Sequence, residues 1–400
     1  VCRDARRDGL VLADDFPEGH FTHGHPYGIY EQIRAEGGVL RHPRLPLWAV
    51  GSHAAVQTVL ADPDTFRSRD GILIHELDVA YDSPPTIMHT DPPEHTRYRS
   101  LVAPAFRPSV VRGLESTVRD RVRTLLDAIP QDRPYDLVSG LAEPLPLQVI
   151  CLMLGIPEDD WPRFSRWSDA IVPDVVEMPE DERNALRMEA GGYLLAEAHR
   201  RREQPRDDVI SRLATIEVDG DRLTDLELVM FLIQLLVAGN ETTRHAISGG
   251  FLALAEHPDQ WAALRNRPGL VPSAVEEILR WTSPVAYFLR TAARPTVLGK
   301  VEVAEGDRVM LLYGAATRDP DVYGPTADRF LVERAAAQLN LAFGFGPHFC
   351  LGAALARMEL RILLEESIDR FRVLNATGTR AYNGSSVVTG LRRCDMAFTR

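Results

Sequence analysis

The chain has 400 residues, 57 acidic against 45 Lys and Arg side chains, a formal net charge of -12 at pH 7 and 45% hydrophobic residues. That balance excludes general nucleic-acid binding, which needs a basic face to release counterions, while the apolar share is enough for a large core. The four cysteines, Cys2, Cys151, Cys350 and Cys394, lie far apart with no C-x-x-C pair, so neither a disulfide framework nor a zinc knuckle is expected. The opening VCRDARRDGLVLADDF is polar, without the apolar core of a signal peptide. The longest apolar run, 226–239, is interrupted by Glu227 and Gln234 and is too short to span a bilayer. A soluble, cytoplasmic protein with no membrane partner is expected. No linker, low-complexity tract or repeat divides the chain, so 1–400 is expected to form one domain.

In chain order, strand-like runs at 39–41 and 47–50 lead to Ser52, a plausible N-cap for a helix over 54–60, which together predict a small sheet near the start. Residues 68–90 show little periodicity and carry Pro84 and Pro85; a loop of that length is uncommon unless it is functional. DPPEHTRYRSLVAPAF follows, with His95 and Arg99 one helical turn apart on one face, where they can hold carboxylates. Spaced apolar residues from Val110 to Leu126 predict a helix packed on one side. Another is predicted over 145–154, ending on Gly155, and two more around 161–171 and 181–202.

From Thr224, which opens a capping box with Glu227, a helix is predicted to about Glu256. At about 1.5 Å per residue it would be about 50 Å long and could cross the molecule. Its middle reads AGNETTR, 238–244. A mid-helix glycine costs about 1 kcal/mol relative to alanine, so Gly239 asks for a reason, such as removing a side chain where a ligand lies. The Thr242 hydroxyl can bond back toward the Ala238 carbonyl. Arg244 and His245 come where the helix should still be inside the protein; either its face turns to solvent there or they pair with buried carboxylates.

The sequence EEILR, in a helix predicted over 273–281, puts Glu277 and Arg280 on one face. VAYFLRTA reads as a strand, 309–315 as another and 318–334 as an irregular meander. Then comes FGFGPHFCLG, 343–352, which places Cys350 at the end of a glycine-broken loop directly before the helix-forming AALARMELRILLEE. A thiolate ligand must be held deprotonated, and the N–H groups of a tight loop and the positive end of the following helix favour that. Gly344, Gly346 and Gly352 let the backbone approach a flat, bulky ligand. Near the end, SSVVTGL puts Val387 and Val388 at a hairpin tip.

The loop fits F-G-x-G-x-H-x-C-x-G at every fixed position and resembles the cysteine-ligand loop of the cytochrome P-450 family, the haem-thiolate monooxygenases. AGNET is similar to the family's [AG]-G-x-[DE]-T oxygen motif, and the H-x-x-x-R and E-x-x-R pairings also match in the family's order, so the likeness covers nearly the whole chain. It implies a mainly α fold with a small β region and haem b between the long central helix and the cysteine loop. It implies Cys350 as iron ligand, with Phe343, Gly344, His348 and Gly352 around it and Ala238 and Gly239 on the distal side. His95, Arg99, Arg290 and His348 would face the propionates. Glu241 would relay protons and Thr242 would stand beside bound oxygen. A third side chain would join Glu277 and Arg280 in positioning the cysteine loop, with Arg329 in ADRF as the candidate.

Val237, Ala238, Val285, Ala286, Phe288, Val387 and Val388 would line the substrate side, the 68–90 loop would roof the pocket, and the helices around 161–171 and 181–202 would form a mobile lid. The implied activity inserts one atom of O2 into an apolar small molecule, a terpenoid, steroid, fatty acid or polyketide, by hydroxylation or epoxidation. The GNETTRH run resembles family members acting on sterols and branched lipids. The chain has no flavin or iron–sulfur motif, so electrons would come from a separate ferredoxin and its reductase, with Arg99, Arg107 and Arg357 as docking candidates. The alternatives are a peroxide-driven peroxygenase, whose relatives usually replace the acid–alcohol pair, and a non-enzymatic haem sensor, which would not need it.

Overall fold

A 32-residue helix, Asp225–Glu256, runs through the middle of the computed structural model, which describes residues 12, 15–17, 19–76, 86–172, 178–217, 220–335 and 339–400. The capping box that starts this central helix is formed: Thr224 Oγ1 accepts from Glu227 N at 3.3 Å and Glu227 Oε2 accepts from Thr224 N at 2.7 Å, satisfying N–H groups that have no partner inside the helix. Among the described residues it is the one helix long and apolar enough to cross a membrane. Glu241, Arg244 and His245 in its middle are buried in protein, and helices Pro144–Leu154, Glu180–Glu203 and Val271–Thr282 pack on it, as for a core helix.

These helices share one apolar cluster with Trp161–Ile171 and Ala353–Arg370. Helix Pro144–Leu154 ends on Gly155 in the left-handed region, φ 73°. Two elements differ from the sequence expectation. The stretch from Val110 to Leu126 is two helices, Pro108–Gly113 and Glu115–Asp127, interrupted at Leu114. Val111, Val118, Val122 and Leu126 are buried across the break, so the apolar spacing continues through it. The strand expected over 309–315 ends at Leu312, and Tyr313–Ala316 turns helical. All of that run is buried, and a wholly buried apolar run does not distinguish strand from helix.

The main sheet has the order Val39–Arg41, Leu47–Val50, Arg308–Leu312, Tyr287–Ala292, Phe66–Arg67. Leu47–Val50 pairs parallel with Arg308–Leu312 and the other neighbours are antiparallel. A second sheet carries the hairpin Val373–Tyr382 and Leu391–Thr399, whose tip returns to the main sheet through a bridge between Val285 and Val388.

Ion pairs fasten the helices that carry the site. Arg97, on helix Glu94–Val102, reaches Glu227 Oε1 at 2.9 Å, and the Tyr98 hydroxyl donates to the same oxygen at 2.8 Å. Glu366, on Ala353–Arg370, accepts from Arg119, Arg123 and Arg370 at 2.9, 3.1 and 2.7 Å. Burial would raise its carboxyl, but the three guanidiniums override burial and hold it at about 2, against 4.5 for a free glutamate. A depressed carboxyl adds stability that is complete above the unfolded value and is lost as pH falls through the folded one. Glu366→Gln is therefore expected to lower stability at pH 7 and to flatten the stability profile between about pH 4.5 and 2, read by chemical denaturation across that range.

Candidate active site

The cysteine loop is held by its own backbone. Gly344 N donates to Leu341 O at 2.8 Å, Cys350 N to Phe343 O at 3.0 Å and Phe349 N to Gly346 O at 3.1 Å. Gly346 has φ 68°, and a Cβ there would meet the Leu60 carbonyl oxygen at 2.3 Å. Glycine is thus required both by the left-handed backbone and by the close lean of the loop on helix His53–Ala61. Phe343 lies under the Arg357 guanidinium, 4.6 Å from ring centre to Cζ. Burial pushes the Cys350 thiol up, against the Gly352 and Ala353 N–H groups and the charges of Arg99 and Arg357. Cys350 as a residue nevertheless keeps accessible surface. An accessible cysteine with N–H groups and two arginines near its thiol suits a metal that takes the thiolate outright.

Beside it, helix Glu94–Val102, strand Tyr287–Ala292 and the loop bring four nitrogen donors together. The His95 and His348 rings are 4.2 Å apart, and His348 Nε2 is 3.2 Å from Ser68 Oγ. Arg290 is buried and donates to its neighbour's Leu289 carbonyl at 2.7 Å. Burial, then Arg99, pushes His95 down to about 4; burial, then Arg290, His95 and Arg99, pushes His348 down to about 2. Burial also lowers Arg99 and Arg290. Asp91, the acid that attracts His95 and Arg290, is already bonded to Ser68 N at 2.8 Å and Arg69 Nε at 3.0 Å. Among the described residues, His95 Nε2 has no partner. Two arginines and two neutral imidazole donors with too little negative charge among them fit a ligand that brings carboxylates, as the two propionates of haem would.

On the central helix, Thr242 Oγ1 donates to the Ala238 carbonyl at 2.9 Å. Ala238 is exposed and Thr242 partly so, although Leu236, Asn240, Glu241 and Thr243 around them are buried. One strip of a buried helix, at i and i+4, is therefore open. Gly239 is partly exposed like Thr242, and a Cβ there would meet the Ile150 side chain at 3.2 Å, so its bareness also lets helix Pro144–Leu154 approach.

Arg244 and His245 take the buried-pair alternative. Arg244 Nη2 donates to Glu241 Oε2, and His245 Nε2 is 3.5 Å from the same oxygen. Burial alone would raise the Glu241 carboxyl; its neighbours one turn on, His245 and the bonded Arg244 guanidinium, override burial and hold Glu241 below its usual range. Burial lowers His245. The result is an ionised acid beside a neutral imidazole. Burial pushes Asp169, on Trp161–Ile171, up to about 6, with Arg244 opposing and Glu241 adding to the rise.

Three sequence expectations are corrected. Arg334, not Arg329, is the third side chain at Glu277: its Nε is 2.9 Å from Glu277 Oε2. Buried Ala327 and Phe330 leave Asp328 and Arg329 facing solvent, and Arg329 contributes its backbone carbonyl, to Arg280 Nη2 at 3.0 Å and Arg334 Nη2 at 2.9 Å. Ala286 and Val387 are sealed in the apolar cluster of the main sheet by the bond from Ala286 N to Val387 O, 2.8 Å; Val237, Val285, Phe288 and Val388 keep open surface. Of the docking candidates, Arg107 is exposed, whereas Arg99 turns toward the histidines and Cys350 and Arg357 pairs with Glu276, Nη2 to Oε2 3.2 Å. In the 68–90 loop, 77–85 lie outside the described residues. Sequence reasoning did not single out Ser68, Arg334 or Asn383, which meet their partners 280, 57 and 138 residues away and leave no local signal.

The family model for cytochrome P450 matches residues 135–267 and 263–386. The chain is 39% identical to the methyl-branched lipid omega-hydroxylase of Mycobacterium bovis, over 98% of this chain and 93% of that protein. It is 38% identical to the vitamin D(3) 25-hydroxylase of Pseudonocardia autotrophica, over 92% of each. The solved structure of cytochrome P450 CYP109Q5 from Chondromyces apiculatus matches with a TM-score of 0.85 and 32% identity, covering 96% of this chain and 97% of that one. A thiol presented on a glycine-shaped loop, a carboxylate-hungry donor cluster and this fold agree with those likenesses: the chain belongs to the cytochrome P450 family, monooxygenases whose cofactor is haem b.

Proposed function

We propose that the protein hydroxylates an extended apolar molecule of lipid or sterol type, with electrons from a separate ferredoxin and its reductase. The balance is RH plus O2 plus two electrons and two protons giving ROH and water, so the chain has to deliver protons to a water-poor site. Haem, held at Cys350, supplies the oxygen binding and redox chemistry. His95, Arg99, Arg290 and His348 hold its propionates. Thr242, tied to the Ala238 carbonyl, keeps a hydroxyl on the open strip of the central helix, and the neighbouring Glu241 carboxylate takes up protons and passes them toward it.

The observation that carries this reading is the ionised, buried Glu241 next to Thr242 on that open strip. A peroxygenase would not need such a pair. Relatives named as methyl-branched lipid and vitamin D(3) hydroxylases support the substrate class, and Val237, Val285, Phe288 and Val388 offer apolar surface to it. Ferredoxin docking falls to exposed basic residues such as Arg107. Thr242→Ala is expected to keep consuming reductant but to divert it to peroxide or water, lowering product per electron pair by about tenfold or more, as measured by product and peroxide yields on a turned-over lipid. An unchanged yield removes Thr242 from the relay.

A further inference from the structure

The buried cluster at Glu241 extends beyond its own helix. His245, one turn on, has Nε2 3.5 Å from Glu241 Oε2 and 3.0 Å from Asn383 Nδ2. Asn383 opens the hairpin tip between Val373–Tyr382 and Leu391–Thr399 and is committed at both ends of its side-chain amide and at its backbone N. Its Nδ2 also donates to the Val388 carbonyl at 2.6 Å, its Oδ1 accepts from Ser385 N at 3.4 Å, and its backbone N donates to Gly390 O at 2.9 Å. A carbonyl can only accept, so the Val388 bond fixes which end of the amide is NH2, and the other hydrogen of that NH2 points at His245. His245 Nε2 is therefore an acceptor. The tip also presses on the ring, because a Cβ at Gly390 would lie 2.2 Å from its atoms. Glu241, His245 and Asn383 are all buried. Yet Glu241 Oε1, Arg244 Nε and His245 Nδ1 have no partner among the described residues, which is unlike a cluster that serves packing alone.

We propose that His245 is a positioning residue that couples the Glu241 carboxyl to the hairpin tip by presenting one acceptor nitrogen to both Asn383 and the acid, so that the seating of the tip sets the state of the relay acid. This rests on Glu241 being that acid. The coupling is a competition for one nitrogen. With the Asn383 NH2 on Nε2, the imidazole cannot capture the proton that Glu241 takes up from solvent. When the tip lifts, Nε2 is freed to accept that proton and hold the acid away from Thr242. Val388 reports on the substrate side because it sits on the tip, keeps open surface and bridges to Val285. Proton delivery is thereby linked to whatever presses on the tip.

Hydrogen exchange on the haem-loaded protein reads the tether without turnover. His245→Phe keeps a ring against Gly390 but removes both nitrogens, and Asn383→Leu keeps the shape of the amide. Each is expected to speed exchange of the amides at 385–389 by about tenfold or more while the first turns of the central helix exchange as in the wild type. Tip exchange unchanged in both variants overturns the tether. Oxygen reduction without substrate, driven by a plant-type ferredoxin and its reductase, supplies the second readout as the partition between peroxide and water. Asn383→Leu, which removes no bond to Glu241, is expected to move the partition toward peroxide by about threefold, and to add nothing in a Glu241→Gln background, the non-additivity of coupled residues. Additive effects overturn the link to the acid. A wild-type partition in Glu241→Gln alone refutes the relay role of Glu241 and with it the claim on the acid, while exchange still decides the tether on its own.

Discussion

Cys350→Ala is expected to abolish product formation, even in protein that still takes up haem. Reduced wild-type protein under carbon monoxide should show the strongly red-shifted Soret band of thiolate-ligated haem, and the variant should lack it. A histidine-type band in the wild type would remove Cys350 as ligand. The expectation rests on how fully the loop is committed to this one side chain. Cys350 N is bonded back to Phe343 O, Gly346 abuts the Leu60 carbonyl, and the Gly352 and Ala353 N–H groups favour a negative sulfur. Among the described residues Cys151 and Cys394 are buried, and burial pushes their thiols up, Cys151 beyond ordinary titration and Cys394 to about 11, so neither offers a replacement.

The second large effect is at Glu277. Its carboxylate, fully buried, accepts from Arg280 at 2.7 and 2.8 Å, from Arg334 at 2.9 Å and from Leu331 N at 2.7 Å. Arg280 in turn donates to the Thr317, Ala327 and Arg329 carbonyls at 2.9, 2.8 and 3.0 Å. This is the frame of the meander that leads into the cysteine loop. Deleting one member leaves buried charge unpaired, so Glu277→Ala is expected to cost about 3–5 kcal/mol and to lower haem retention. Arg334→Ala should follow it in direction, whereas Arg329→Ala should stay within about 0.5 kcal/mol because its contribution is a backbone carbonyl. Denaturation midpoints and haem-to-protein ratios of the three variants measure this. Equal losses at Arg329 and Arg334 would contradict the arrangement.

The contrast between those arginines shows what the sequence can carry. The cysteine loop, the Thr224–Glu227 cap and the Gly155 stop are local: each is written within a few consecutive residues, and each was legible. So was the back-bond from Thr242 to Ala238, because helix geometry alone puts them together. What failed was orientation and long-range pairing. Gly239 lies in a helix apolar on most sides, so periodicity could not say that it also meets Ile150. Arg334 and Arg329 are equally plausible partners until Ala327 and Phe330 are seen to point inward. His245 and Asn383 are 138 residues apart, and nothing near either residue names the other. The break at Leu114 was hidden because both helices bury one continuous stripe.

Glu227 gives the molecule a single point of shared failure. The same carboxylate caps the central helix at Thr224 and anchors Arg97 and Tyr98 on the helix that presents His95 and Arg99. Burial would raise it, but those bonds hold it below the usual carboxylate range, so it stays charged until the solution is well into acid. Once pH falls through that lowered value, one proton weakens both attachments. Fraying of the central helix and slackening of the helix that carries His95 and Arg99 then become one acid-triggered event rather than two.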